Sequence, residues 1–370
     1  MSQMNANLSR RTFISTMGVL GAGLALSACG SSNTSGAAAE SSPASGDKGL
    51  EVDTIHWGRA NSGNIFVTLG QKKGYFADEG LTVVEDPVQS STDALTALST
   101  GAVDVTSNQG TSGPLQQIAA GQDFTIVGGY MLQGMYLIAK KGTTWNGVGD
   151  LVGKRISHSA PQIPVCYAML QAGYDPTKDV TWVSTNTSAD RYAAVVSGEA
   201  DYGYMSGDML YTVNNSPDVD IVVYADELMP TYGCCRMNMR TQFVKDNPKT
   251  VKALMRALVR SNAYFHANLD ECVEILAKEL NTDQDYVAAY LKNEHYIPDT
   301  DPVKHQVEQT WEVMKQIGLV DADAAAKVKL EDHIDTSFYE EALNEISQEY
   351  ADDYPEWWKS RKEFFQEHDA

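Results

Sequence analysis

Apolar and polar positions change period repeatedly along this chain, and each change marks a strand passing into a helix. The pattern is clearest over Ala97–Leu115, ALSTGAVDVTSNQGTSGPL. Helical spacing ends at Thr100-Gly101. The β-branched Val103 and Val105 alternate with polar residues, which predicts a short strand over Val103–Thr106. Gly110 and Gly113 then suit a sharp turn, Thr111 or Ser112 can cap a helix, and Pro114 fits its first turn. A strand feeding a small polar turn and a helix leaves unpaired N–H groups at its carboxyl edge, where open α/β sheets bind ligands. An ordinary connecting loop shares this local pattern, so the argument rests on recurrence.

The arrangement recurs three times. TIHWGRA runs into Asn61-Ser62-Gly63-Asn64 and a helix over Ile65–Lys73. A strand ending at Ser157-His158-Ser159-Ala160-Pro161-Gln162 precedes a helix over Ile163–Ala172. Val180–Val183 leads into Ser184-Thr185-Asn186-Thr187 and a helix over Ala189–Ser197. The turn side chains are the candidate ligand contacts: Arg59, Asn61, Ser62 and Asn64 in the first, Gln109, Thr111 and Ser112 in the second. His158, Ser159 and Gln162 belong to the third, and Thr185 and Asn186 to the fourth. GEADYGYMSGDM repeats the logic of the Ala97–Leu115 stretch and adds Tyr204, Ser206 and Asp208.

Further strands are predicted over Leu81–Glu85, Phe124–Tyr130, Met135–Lys140, Asp220–Tyr224 and Tyr232–Arg240. In the last, alternation puts Cys235, Met237 and Met239 on one face and Cys234, Arg236 and Asn238 on the other, with Arg236 a further candidate contact. Asn247-Pro248 starts a helix whose Val251, Leu254, Met255, Leu258 and Val259 form a core-facing stripe. Helices continue through Leu343. A last amphipathic segment, DYPEWWKSRKEFFQEHDA, docks Trp357, Trp358, Phe364 and Phe365 on the body.

Composition narrows the function classes. The 370 residues are 43% hydrophobic, enough for one large or two medium domains. A formal net charge of −21 argues against nucleic acid as a partner, since phosphate neutralisation needs a basic face. Residues 1–28 read as an export signal, with a twin-arginine-like SRRTFI and an apolar run too short to span a membrane. Leu26-Ser27-Ala28-Cys29 resembles a lipobox, which predicts a diacylated Cys29 and a protein tethered to the extracytoplasmic face of the cell membrane. Residues 29–50 supply that cysteine and a Ser/Gly/Ala-rich tether.

No metal or other cofactor is expected, because the seven histidines show no ligand spacing and no phosphate or dinucleotide fingerprint occurs in context. Cys166, Cys234, Cys235 and Cys272 are expected as buried thiols. Adjacent Cys234 and Cys235 should face opposite ways, so a disulfide between them is strained.

The order GQKKGYFADEGLTVV, DALTALSTGAVDVTSNQG, DLVGKRISHSAPQIP resembles the substrate-binding proteins of ABC importers for sulfonates, nitrate, taurine and thiamine-pyrimidine precursors. The likeness spans Val52–Leu343. It implies an α/β fold of the periplasmic-binding-protein type II class, two α/β lobes joined by two crossovers near Met135–Thr143 and Glu227–Arg236. Lobe 1 is then 51–141 plus 232–350, lobe 2 is 142–231, and 351–370 is the amphipathic end. A monomer would close on a small molecule, without chemistry, and deliver it to ABC permease and ATPase subunits.

An anionic ligand such as a sulfonate would meet helix N-termini, Arg59, Arg236 and a protonated His158, with Trp57 and Tyr204 packing its tail. A neutral aminopyrimidine would instead stack on the aromatics and need Asp208. Enzymes on this fold, desulfinases among them, use a cleft cysteine with His and Arg, which makes Cys166 and His158 the rival site. A sensor or structural lipoprotein is the third reading.

Overall fold

The computed structural model describes residues 48–60 and 63–370. The export signal, Cys29 and the tether lie outside the described residues, as do Asn61 and Ser62. Two sheets organise the chain. The first contains β1 (Thr54–Arg59), β2 (Thr82–Pro87), β3 (Val105–Thr106) and β4 (Phe124–Gln133). The second contains β5 (Met135–Lys140), β6 (Arg155–Ser157), β7 (Thr181–Val183), β8 (Tyr202–Ser206) and β9 (Val219–Tyr224). The chain then returns to the first with β10 (Cys235–Arg240) and β11 (Tyr296–Pro298), giving orders β11-β4-β10-β3-β1-β2 and β7-β6-β8-β5-β9. In each sheet a parallel trio, β1 to β3 or β6 to β8, carries helices, and antiparallel strands from the crossovers complete it. Among the described residues no helix is long and apolar enough to cross a membrane.

Met135–Lys140 was expected to close the first lobe. It instead pairs with β8 and β9 and sits inside the second sheet, so the first crossover falls at Gln133-Gly134. Its alternation suits either sheet; what decides is the backbone before it, with φ 60° at Gln133 and 80° at Gly134. A Cβ at Gly134 would stand 2.8 Å from the Tyr296 ring. The return crossover has its own left-handed residue, Thr231, at φ 57°. The Gln133 N–H donates to the Tyr232 carbonyl at 2.8 Å, so the two crossovers lie side by side. Each concentrates its unusual backbone in one or two residues, the form a hinge takes.

The predicted stripe on the long helix Pro248–Ala267 is buried as expected, against the helices Ile65–Lys72 and Ser337–Glu349. Asn247 does not cap it; its amide turns back to the Phe243 carbonyl, and Glu51 takes the Thr250 N–H at 3.0 Å. The last helix, Pro355–His368, buries Trp358 and Phe365 and leaves Trp357 and Phe364 partly covered. Arg361 on that helix pairs with Asp299, whose carboxylate is almost fully buried.

Candidate functional site

The candidate site lies where the carboxyl ends of both parallel trios approach each other. In the first sheet the turns after β1 and β3 are stitched together. Asn64 caps the helix Ile65–Lys72, its Oδ1 accepting from the Phe66 N–H at 3.0 Å. Its Nδ2 donates to Ser107 Oγ at 3.0 Å, and Asn108 donates to the Gly63 carbonyl at 2.9 Å. Asn64 is thus buried scaffold. Gln109 is also buried, and its Nε2 has no protein partner. Thr111 does not cap the next helix. Its hydroxyl donates to the carbonyls of Gly233 and Cys234, fastening this turn to the return crossover. Ser112 is half-buried and hydrogen-bonds the Tyr232 hydroxyl.

The two arginines expected to meet an anion are both engaged by protein groups, although the buried Arg236 Nε has no partner. Arg59 stands 3.6 Å from Glu85 and 3.9 Å from Glu279. Arg236 is fully buried in the first sheet, donating to the Asp301 carbonyl at 2.6 Å and the Met131 carbonyl at 2.7 Å. Trp57 is 1% exposed and packs in the core, where it has no tail to hold.

In the second sheet Ser157 and Thr185 share a hydrogen bond of 3.1 Å, while Ser159 and Asn186 are exposed. His158 Nδ1 meets Gln162 Nε2 at 2.7 Å and lies 3.4 Å from the Ala160 N–H. Both neighbours donate, so Nδ1 is the acceptor and Nε2 carries the proton. Burial, and secondarily the charge of Arg191, press the His158 pKa down from 6.5 to about 3. A protonated His158 is therefore not the anion partner at neutral pH. Because the folded protein takes up this proton less readily than the unfolded chain, stability is intact above pH 6.5 and falls as pH drops toward 3. His158→Gln is expected to remove that acid sensitivity. The gain relative to wild type, read from urea unfolding, should be on the order of 1–2 kcal/mol at pH 5 and absent at pH 7.5.

Tyr204 is 1% exposed, and burial, with the neighbouring Tyr232, Cys234 and Cys166, raises its hydroxyl well above the usual phenol range. Its ring meets His158 edge-on at 5.9 Å. Asp208 is exposed and accepts from Ser206 Oγ and, at 3.4 Å, from Ser188 Oγ. Arg191 is the residue that the sequence reading missed. It sits in the first turns of the helix Ser188–Ser197, within the field of His158 and Asp208. Its Nε is buried without a partner, and its Nη1 reaches only the Tyr204 carbonyl at 3.5 Å. Among the described residues no carboxylate stands within ion-pair distance of it. Its spacing four residues after Thr187 was a readable signal, since that side chain returns toward the turn.

The Cys166 thiol is fully buried and pushed up to about 12 by desolvation, and among the described residues no hydrogen bond links it to His158. That is the opposite of an activated nucleophile.

A family model described as NMT1/THI5 like matches residues 61–272, more than half of the chain. The chain belongs to that family. No curated protein matches the sequence. Among solved structures, the periplasmic aliphatic sulphonate binding protein SsuA from Escherichia coli is similar at 18% identity and TM-score 0.65, covering 77% of this chain and 93% of its own. The periplasmic nitrate-binding protein NrtA from Synechocystis PCC 6803 follows at 17% identity and TM-score 0.64, covering 80% and 90%. A mutant of DSZB in complex with biphenyl-2-sulfinic acid is similar at 16% identity and TM-score 0.55, covering 79% and 99%. At these identities the likenesses establish the fold, which is that of the periplasmic binding proteins.

Proposed function

We propose that this protein is the extracytoplasmic solute-binding component of an ABC importer. Its ligand would be a small organic anion that also carries an amine, a taurine-like sulfonate. The observation that carries the ligand class is Arg191, a guanidinium at the carboxyl edge of the second sheet whose Nε is buried without a partner and which, among the described residues, has no carboxylate within ion-pair distance. An anionic head would satisfy it, and Asp208, with its two serine hydroxyls, would take an amine. The names of the sulphonate-binding and nitrate-binding structural relatives support the same class. Exposed Asp208 also favours one other reading, a neutral aminopyrimidine. The sealed Cys166 thiol supports binding over catalysis.

In this reading lobe 1 is 51–134 plus 232–350 and lobe 2 is 135–231. Closure pivots on Gln133-Gly134 and Thr231, and a permease with its ATPase senses it. Cys29, diacylated, would hold the protein at the membrane. Thermal shift across taurine, alkanesulfonates, nitrate and an aminopyrimidine tests the reading. A ligand at 100 times its Kd adds about 2.7 kcal/mol, on the order of 4 °C for a fold of this size. Small-angle scattering should then show a smaller radius of gyration with that ligand. An unchanged radius at saturation would refute hinge closure. Turnover of a sulfinate that vanishes in Cys166→Ser would make the protein an enzyme.

A further inference from the structure

The return crossover carries two thiols that ligand capture does not use. Cys234 and Cys235 are 7% and 8% exposed, and their Sγ atoms are only 3.7 Å apart. Regular alternation would send them to opposite faces. Cys234 lies just before β10, outside the ladder that imposes alternation, and its sulfur stands beside that of Cys235. The surroundings distinguish the two. The hydrogen bond with Cys234, and after it the Gly110 N–H and the nearby Arg236 guanidinium, lower the Cys235 thiol against the opposing effect of its burial. The neighbouring Cys235 and burial keep the Cys234 proton in place. Both residues sit at the hinge: Tyr232, two positions earlier, accepts the hydrogen bond from Gln133 of the other crossover.

We propose that Cys234 and Cys235 form a redox modification site, closing to a vicinal disulfide by exchange with a small-molecule disulfide and thereby altering the hinge. The Cys235 thiolate attacks one sulfur of the external disulfide and expels its first thiolate, leaving a mixed disulfide on Cys235. Cys234 gives up its proton, attacks the Cys235 sulfur and expels the second thiolate. The two protein thiols are oxidised, the external disulfide is reduced to two thiols, and the released protons go to them.

Geometry makes the bond labile. Adjacent Cα atoms are about 3.8 Å apart, below the usual span of about 4.4–6.8 Å for bridged cysteines. The intervening peptide must therefore distort, and strained disulfides have more oxidising potentials and reduce readily. That distortion falls on the Cys234 carbonyl, which accepts the Thr111 hydroxyl at 3.1 Å. Oxidation thus loosens one of the two carbonyl contacts, to Cys234 rather than Gly233, by which Thr111 fastens a site turn to the crossover.

The modification does not depend on any ligand; its effect on closure rests on the two-lobe reading. The full chain, reduced and then incubated with oxidised glutathione, tests both parts by intact mass, alkylation mapping and hydrogen exchange. We expect a product about 2 Da lighter, with Cys234 and Cys235 unalkylated and no glutathione retained. Exchange over residues 231–236 should change at least threefold. Cys234→Ser should stop at a glutathione adduct on Cys235. Full alkylation of both cysteines after treatment, an adduct on Cys166 or Cys272 instead, or a disulfide with unaltered exchange at the hinge would each overturn the proposal. The wild-type map decides the chemistry even where the variant folds poorly.

Discussion

Gly129→Ala is expected to destabilise the protein by at least about 4 kcal/mol, or to prevent folding at 37 °C. A Cβ at this position would collide with the Asp301 carbonyl and stand 2.7 Å from Arg236 Nη1 and 2.8 Å from the Asp299 carbonyl. Two of those obstacles are backbone, and the third is the guanidinium that ties β10 to the 299–301 segment. Relief means moving Arg236 off the Asp301 carbonyl, and a hydrogen bond to a charged group contributes about 1.5–3 kcal/mol. Lengthening that bond also exposes a fully buried charge to incomplete compensation. Gly128→Ala is the control. There the nearest atoms are the mobile Met255 and Met237 methyls at 3.1 and 3.2 Å, with the Thr300 carbonyl at 3.2 Å. Its cost should stay within about 1–3 kcal/mol. Urea midpoints of the two variants read the difference directly; similar midpoints would show that the Arg236 anchor is not what Gly129 protects.

The four strand–turn–helix units were legible because each needs only local information: β-branched residues, a small polar turn, a cap. Which sheet a strand joins was not local, and Met135–Lys140 was assigned to the wrong side for that reason. Its apolar pattern is satisfied by either sheet, whereas the left-handed Gln133-Gly134 pair that redirects it carries little sequence signal at Gln133. The cations failed through distance in sequence. Arg59 reads as a free strand end until Glu279, more than two hundred residues later, folds against it. Arg236 lies on a strand buried on both faces, so alternation could not separate a cleft side from a core side. Arg191 was passed over because attention fell on the turn before its helix. The convergence of Cys234 and Cys235 was hidden because β10 begins only at Cys235, so the alternation expected across the pair does not apply.

Arg191→Gln is expected to weaken binding of a sulfonate by about 1.5–3 kcal/mol, roughly 10- to 150-fold in Kd. Burial disfavours the Arg191 charge; the fields of Asp208 and Asp190 offset this only in part, and its Nε has no partner while Nη1 makes only the long Tyr204 contact. An anion arriving there recovers both a charge-assisted hydrogen bond and the desolvation cost. Arg191→Lys should fall between wild type and Gln, because it keeps the charge and loses the planar fork. Arg59→Ala, by contrast, should leave affinity nearly unchanged, since that side chain is held by Glu85 and Glu279. Asp208→Asn then separates ligands by their other end. It should weaken taurine, whose amine loses a carboxylate partner, and leave unchanged or strengthen an alkanesulfonate without an amine. Isothermal titration of the four variants with both sulfonates gives the complete pattern. If Arg191→Gln is neutral while Asp208→Asn abolishes binding of an aminopyrimidine that the wild type holds, the anion is discarded and the neutral heterocycle takes its place.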